Sequence, residues 1–340
     1  MVLKFIDGNS NGDGDLFNLA DHYGLEDDAV FVAMAPGPYA TDTIKTYGGD
    51  DVVIVSGTTS VDFIVNVFEL GSGNDKLIGG NGSEEYRDQS GDDIIFMGGG
   101  NDFVFAGTGY DTIDGGDGID TVSFDHLRDP FGVPLAVENG VTFDLAVTGQ
   151  QLLGDFGIDS FKNFENVLGT GKDDVLFGTS AANDMGGSDG ADVLNGRAGN
   201  DVLKGGRGAD TLVGGLGGDD LWGHNGNGAG GDGAADTFSY FSVAESSLLQ
   251  PDIIWDFEDH VAGGMDKIDL SAMDASTLLR GNNTFVFVGT SAFSSAQGEV
   301  SRTWVNGDTI VRIDTDGDAD AEMMIIFKGI ITLTADDFVF

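Results

Sequence analysis

Aspartates recur nine residues apart in this chain, each followed two places later by an apolar residue. From Leu70 to Ser123 six nonapeptides run without a gap: LGSGNDKLI, GGNGSEEYR, DQSGDDIIF, MGGGNDFVF, AGTGYDTID and GGDGIDTVS. Their sixth positions are Asp75, Glu84, Asp93, Asp102, Asp111 and Asp120, and their eighth are Leu77, Tyr86, Ile95, Val104, Ile113 and Val122. A second array begins near Asp174 and continues as GSDGADVLN, GRAGNDVLK, GGRGADTLV and GGLGGDDLW. It carries Asp192, Asp201, Asp210 and Asp219 at the sixth position and Leu194, Leu203, Leu212 and Leu221 at the eighth. The register slips after Trp222 and returns at Asp236; earlier copies lie at Asp42/Ile44 and Asp51/Val53. Carboxylates at a fixed interval among glycines supply side-chain and backbone oxygens, the ligands of hard divalent cations.

The elements that position these groups follow from the same spacing. Glycines at positions 1, 2 and 4 open each repeat with a tight turn. The trio around position 8 suits a short strand with its middle residue inward and its neighbours outward. Two repeats make one coil, so residues 18 apart stack at strand spacing, about 4.8 Å. Asp75, Asp93 and Asp111 then share one ladder, and Glu84, Asp102 and Asp120 the opposite one. Neighbouring carboxylates at that distance repel by roughly 0.9 kcal/mol at water's dielectric and roughly 3.5 kcal/mol at an effective dielectric near 20. A divalent cation between turns reverses the sign. Two carboxylates and several turn carbonyls make a six-oxygen Ca²⁺ shell, whereas Mg²⁺ demands stricter geometry and retains water. The expected ligands are Asp75, Asp93, Asp102, Asp111, Asp120, Asp174, Asp192, Asp201, Asp210, Asp219 and Asp236. The turns add Gly98, Gly100, Gly107, Gly109, Gly116, Gly118, Gly196, Gly199, Gly205, Gly206, Gly208, Gly214, Gly215 and Gly217. A second set is Asp42, Asp51, Glu84, Asp314, Asp316, Asp318 and Asp320. A flexible Gly/Asp linker has no need of an apolar residue two places after each Asp.

Composition agrees. The 340 residues hold 15 Lys+Arg against 58 Asp+Glu, a net charge of −43. Such a surface repels nucleic acid and anionic membranes. With 40% hydrophobic residues the chain has a core to bury and is no acidic tail. No cysteine is present, which excludes disulfides and thiolate metal sites. No apolar run is long enough to cross a membrane, and the first eight residues turn polar too early for a signal-peptide core. An export address is therefore expected elsewhere.

The motif G-G-x-G-x-D-x-U-x resembles the RTX (repeats-in-toxin) nonapeptide, a Ca²⁺-binding β-helix repeat. The expected fold is all-β: a Ca²⁺-bound parallel β-roll in two arrays, capped by a C-terminal β-rich domain. The expected division is an irregular N-terminal cap at 1–69, a first array at 70–123, a hairpin excursion at 124–170, a second array at 171–236 and a C-terminal domain at 237–340. Phe164-Glu165-Asn166-Val167-Leu168-Gly169 resembles the segment that precedes RTX blocks. Asp7 to Asp15 has the spacing of an EF-hand-like loop, but its twelfth position is Asn18 rather than Glu, so a degenerate Ca²⁺ loop and a polar turn both fit. Val61–Leu70 reads as a strand, Ala272–Arg280 as a short helix, and Trp304–Ile310 as a hairpin about Asn306-Gly307. The order ADTF, PDIIWDF, DKIDLSA, FVFVGTSAF, GDTIV, DTDGDADAE, LTADDFVF over the last 105 or so residues resembles the serralysin (M10 peptidase) C-terminal domain. That resemblance implies a cap on the roll and a C-terminal signal for one-step type I export, with Asp337-Phe338-Val339-Phe340 as its acidic-then-apolar ending.

Catalytic signatures are weak. The four histidines are followed by Tyr23, Leu127, Asn225 and Val261, so none begins the H-E-x-x-H zinc helix of the serralysins, and the protease domain is absent. Gly186–Gly190 matches G-x-S-x-G but sits within a repeat, without a strand–turn–helix context. Trp222, Trp255, Trp304 and Tyr240 could stack on sugars, though packing accounts for them better. The leading expectation is a secreted Ca²⁺-binding protein with a structural, adhesive or surface role. Its partners are calcium ions, a type I exporter and a glycan or cell-surface ligand. The alternative is an extracellular polysaccharide-acting enzyme or accessory module with a site in 1–69 or 124–170. A regular ice-binding face is excluded by the varied third positions of the turns, Ser72, Asn81, Ser90, Gly99, Thr108 and Asp117.

Overall fold

The computed structural model describes residues 2–7, 16–18, 28–33, 43–46, 48–56, 66–125, 136–224, 233–259, 265–276 and 283–340. Asp42, the loop residues 8–15 and residues 61–65 of the strand expected over Val61–Leu70 lie outside them. The chain divides into two compact units, Met1–Thr170 and Gly171–Phe340. Among the described residues there is no α-helix, only 3-10 turns such as Gly154–Phe156 and Ala335–Asp337. No helix of the described residues is long and apolar enough to cross a membrane.

In the first unit the chain alternates between two parallel sheets. One orders the strands Val2–Asp7, Asp28–Ala33, Val52–Ser56, Lys76–Ile78, Ile94–Phe96, Thr112–Asp114 and Ile158–Lys162. The other orders Leu16–Asn18, Thr43–Lys45, Asn66–Ser72, Glu84–Gly91, Phe103–Phe105, Thr121–Ser123 and Asn166–Leu168. Partners in the array are 18 apart, as Ile95 with Ile113 and Tyr86 with Val104. Leu77, Ile95, Ile113 and Phe161 face Phe68, Tyr86, Val104, Val122 and Val167 across a fully buried interior. Most of the residues flanking these point out, as where Ile95 is wholly buried between half-exposed Ile94 and Phe96, whereas Val67 and Ser123 are buried as well. Three-residue strands suffice because each contributes one core residue to a stack that neighbouring coils continue.

After Ser123 the chain leaves the coil path. It returns through Gln150–Leu152, which lies antiparallel to Ile158–Lys162. Phe124 sits edge-on to Phe143, Phe156 and Phe161 at 5.1, 5.1 and 5.9 Å between ring centroids. These rings fill the interior where an aliphatic column would otherwise end.

The second unit repeats the arrangement. One sheet runs Val175–Phe177, Val193–Asn195, Thr211–Val213, Thr237–Ser239, Lys267–Asp269 and Phe338–Val339, all parallel. The other runs Asp184–Asp189, Val202–Arg207, Asp220–Trp222, Asp252–Ile254 and Met323–Phe327 in parallel, and continues antiparallel through Asp308–Asp314 and Glu299–Val305. The Asn306-Gly307 turn has φ of 55° and 95°, the left-handed pair that a two-residue hairpin requires. The expected helix at Ala272–Arg280 is not formed over its described part, 272–276, which is turn and bend. There Met273 and Ala275 are buried and the Asp274 carboxylate takes the amides of Ser276 and Asn283, so side-chain capping of a loop replaces helical bonding.

Candidate metal-binding ladders

Most sixth-position carboxylates are tied to the coil before them. The amides of Asp75, Asp93, Glu84 and Asp102 donate to Oδ1 of Asp93, Asp111, Asp102 and Asp120 at 2.7, 2.8, 2.7 and 2.8 Å. Asp51 joins the first row, its amide donating to Asp75 Oδ1 at 2.8 Å. In the second unit one row runs Asp174, Asp192, Asp210, Asp236, with amide-to-carboxylate distances of 2.7, 2.8 and 2.9 Å. Asp201 and Asp219 form the other row at 2.8 Å. All of these side chains are at most 5% exposed.

The second oxygen of these groups is the unusual one. Oδ2 of Asp75, Asp120, Asp192, Asp201 and Asp219 is buried and meets no hydrogen-bond donor. Burial pushes these carboxyls up, against the opposing pull of the amide bond: Asp75 to about 8, Asp120, Asp192 and Asp201 to about 7, Asp102, Asp111 and Asp219 to about 6. An anionic oxygen with nothing to accept from is costly in a buried site.

Glycine shapes the space around it. Gly98, Gly116, Gly206 and Gly215 at position 2, and Gly100, Gly109, Gly118, Gly199, Gly208 and Gly217 at position 4, take left-handed φ. The position-2 conformation persists where the residue is Ser188 (φ 84°) or Arg197 (φ 72°). At position 1 the reason differs. A Cβ on Gly196, Gly205 or Gly214 would lie 2.3 Å from Oδ2 of Asp201, Asp210 or Asp219. At these three positions Oδ2 is thus aimed at a turn in which a side chain would collide with it. A Cβ on Gly107 would strike the carboxylate of Asp88 at 2.4 Å.

Several members of the rows escape the nonapeptide count. Asn183 stands at a sixth position: its amide donates to Asp201 Oδ1 at 2.8 Å and its own Oδ1 takes the Thr179 amide. Asp252 and Asp266 extend the two rows of the second unit, accepting from the amides of Asp219 and Asp236 at 3.0 Å each. Glu165 accepts from the Asp120 amide at 2.9 Å. Their signal was an acidic or amide residue two places before a buried apolar one (Met185, Ile254, Ile268, Val167), with the repeat's glycines absent before Asp252 and Glu165 and only partly kept before Asn183 and Asp266. Asp88 occupies a position-1 site where most repeats have Gly; its carboxylate, Asp93 and Asp111 each place an oxygen within 4.8 Å of the others, and Tyr86 donates to Asp93 Oδ2.

A separate acidic loop follows the antiparallel hairpin. Asp314, Asp316, Asp318 and Glu322 converge within 4.8 Å. Asp314 accepts from Gly317 and Ala319, and Glu322 from Thr315. Asp320 is outside this group, its place taken by Glu322. The G-x-S-x-G match holds no nucleophile elbow, since Ser188 lies within the Asp184–Asp189 strand. Tyr240 is buried; Trp222 stacks on Trp255 at 5.2 Å, whose indole N–H donates to Asp220.

Two parallel sheets joined by glycine turns and lined by carboxylate rows define an RTX β-roll. The profile of the peptidase M10 serralysin C-terminal family matches residues 45–340, and the chain belongs to that family. No curated protein matches the chain. Similar solved structures include a subunit of the mannuronan C5-epimerase of Azotobacter vinelandii (28% identity, 58% of this chain and 86% of that one, TM-score 0.21). A second subunit of that epimerase matches at 22% identity over 51% and 91%, TM-score 0.24. An extracellular lipase from Serratia marcescens matches at 16% over 85% and 45%, TM-score 0.19.

Proposed function

We propose that this is a secreted Ca²⁺-binding β-roll protein that folds on calcium and serves a structural, adhesive or surface role. The observation that carries the reading is the set of buried Oδ2 atoms with no donor, those of Asp120, Asp192, Asp201 and Asp219 each aimed at a position-1 glycine. Asp75, Asp120, Asp192, Asp201 and Asp219, with the turn carbonyls beside them, would hold the ions. Calcium supplies the positive charge that turns stacked carboxylates from a repulsive column into an attractive one. The chain's own part is to fix one oxygen by an amide bond and leave the other available. Metal-binding energy then becomes folding energy.

Export by a type I system, with the address near Leu333–Phe340, is the reading the family membership favours. Circular dichroism in chelator and in millimolar Ca²⁺ tests the calcium reading: a largely unfolded spectrum should become β-rich, with a midpoint of about 10⁻⁴–10⁻³ M. An unchanged cooperative β spectrum in chelator overturns it. For export, a chain lacking Leu333–Phe340 should stay inside a host that carries a matching exporter; wild-type secretion of that chain overturns it.

A further inference from the structure

The carboxylate row of Asp75, Asp93 and Asp111 continues past the last nonapeptide of its array. The next rung is Asp159, on the strand by which the excursion rejoins the sheet. The Asp111 amide donates to Asp159 Oδ1 at 2.8 Å, the same bond at the same length as Asp93 to Asp111, across a sequence separation of 48 instead of 18. The turn before it is built like the others. Gly157 has φ of 113°, pairs with Gly109, and a Cβ on it would lie 2.0 Å from the Gly109 carbonyl oxygen. Phe161, two residues after Asp159, is buried beside Ile113. Gly154 to Lys162 thus reads as a nonapeptide, G-D-F-G-I-D-S-F-K, that has kept Gly at positions 1 and 4, Asp at 6 and an apolar residue at 8.

Asp159 is 1% exposed and its Oδ2 has no hydrogen-bond partner. The cation nearest in sequence, Lys162, turns outward to Asp114 at 2.8 Å. On the other side of Asp111 the buried Asp88 and Asp93 add negative charge. We propose that Asp159 is a ligand of a further divalent, oxygen-preferring cation, bound between the turn of Asp111 and the turn of Gly157, that clamps the base of the 124–157 excursion to the first array. This rests on the calcium reading above and extends it to a rung supplied by the excursion. Asp155, in the same turn, provides the contrast: it is exposed and its Oδ2 accepts from the amides of Glu138 and Asn139 at 2.7 and 3.0 Å.

Calcium stoichiometry by equilibrium dialysis, on the full chain, tests the assignment with Asp159→Asn, Asp155→Asn and Asp192→Asn. Asn keeps an oxygen for the Asp111 amide and removes the charge. Asp159→Asn should bind one ion fewer than wild type and Asp155→Asn the same number. Amide exchange of Leu153 and residues 158–162 should need several-fold more Ca²⁺ for protection in Asp159→Asn, and not in Asp192→Asn. Wild-type stoichiometry and exchange in Asp159→Asn, with an ion lost in Asp192→Asn, overturns the Asp159 site alone. No calcium bound by wild type overturns the calcium reading as well. If Asp159→Asn does not fold, the wild-type chain decides: protection of 158–162 should appear only with Ca²⁺, and full protection in chelator while the first array exchanges freely defeats the proposal.

Discussion

An aspartate that gives one oxygen to the amide of the preceding coil has a second oxygen to place, and at Asp120, Asp192, Asp201 and Asp219 that oxygen meets no donor and faces a glycine turn. The bonded oxygen is structural and the other is available for a cation. Asp201→Ala removes both and should cost several kcal/mol in Ca²⁺, since it orphans the Asn183 amide and unmakes a rung. Asp189→Ala is the matched surface change: that carboxylate is 64% exposed and 3.9 Å from Arg207, so its loss should stay within about 0.5 kcal/mol. Urea unfolding of both variants at saturating Ca²⁺ makes the comparison, and equal midpoints would sink it. Gly205→Ala probes the same oxygen from the other side. Its Cβ would sit 2.3 Å from Asp210 Oδ2 and 2.4 Å from the Gly223 carbonyl, so the variant should show a raised Ca²⁺ midpoint as well as lower stability.

Among the elements, the excursion is where local sequence is least informative. Phe124 closes the aliphatic column by packing edge-on against three rings, and Phe143 comes from a stretch with no repeat signature. Phe124→Ala should destabilise by about 3–5 kcal/mol, measured by denaturant unfolding in Ca²⁺. A loss below about 1 kcal/mol would mean that the aromatic cluster does not support the roll. The repeats themselves were legible because glycine, carboxylate and apolar residue each do one job at a fixed position. Glu165, Asp252 and Asp266 were not, because their turns differ in length or composition, and Asp159 was not because its repeat stands 48 residues after Asp111, so that only the register of the strands shows that they join the rows. Asp308 shows the converse: beside the hairpin turn it reads as a plain surface charge, yet it accepts from Gly329 and pairs with Lys328 at 3.1 Å.

For the whole molecule the governing quantity is the −43 charge and how the fold disposes of it. Row carboxyls raised to between about 6 and 8 bind protons more tightly when folded than the ordinary aspartate value of 3.8. In the metal-free state that linkage favours the fold below about pH 4 and is lost as pH rises through 6 to 8. Metal-stripped protein should therefore gain β signal on acidification from pH 7.5 to 4.5, with protons partly replacing calcium. Calcium binding near pH 7 should release protons, and its midpoint should rise as pH falls. Dichroism of resin-treated protein, and calorimetry in buffers of different ionisation enthalpy, measure the two effects. A β signal that falls on acidification, or calcium binding without proton release, would contradict this account.

The sequence by itself determined the coil. A nine-residue period with glycine at the turns and one inward residue per strand admits few other packings, and it set which carboxylates stack 18 apart. Tertiary structure alone decided which residues outside that period complete the rows, since membership depends on strand register after loops of unequal length. It also decided which of the two carboxylate oxygens is spent on an amide and which is left, a distinction of direction and burial that residue type and spacing do not carry.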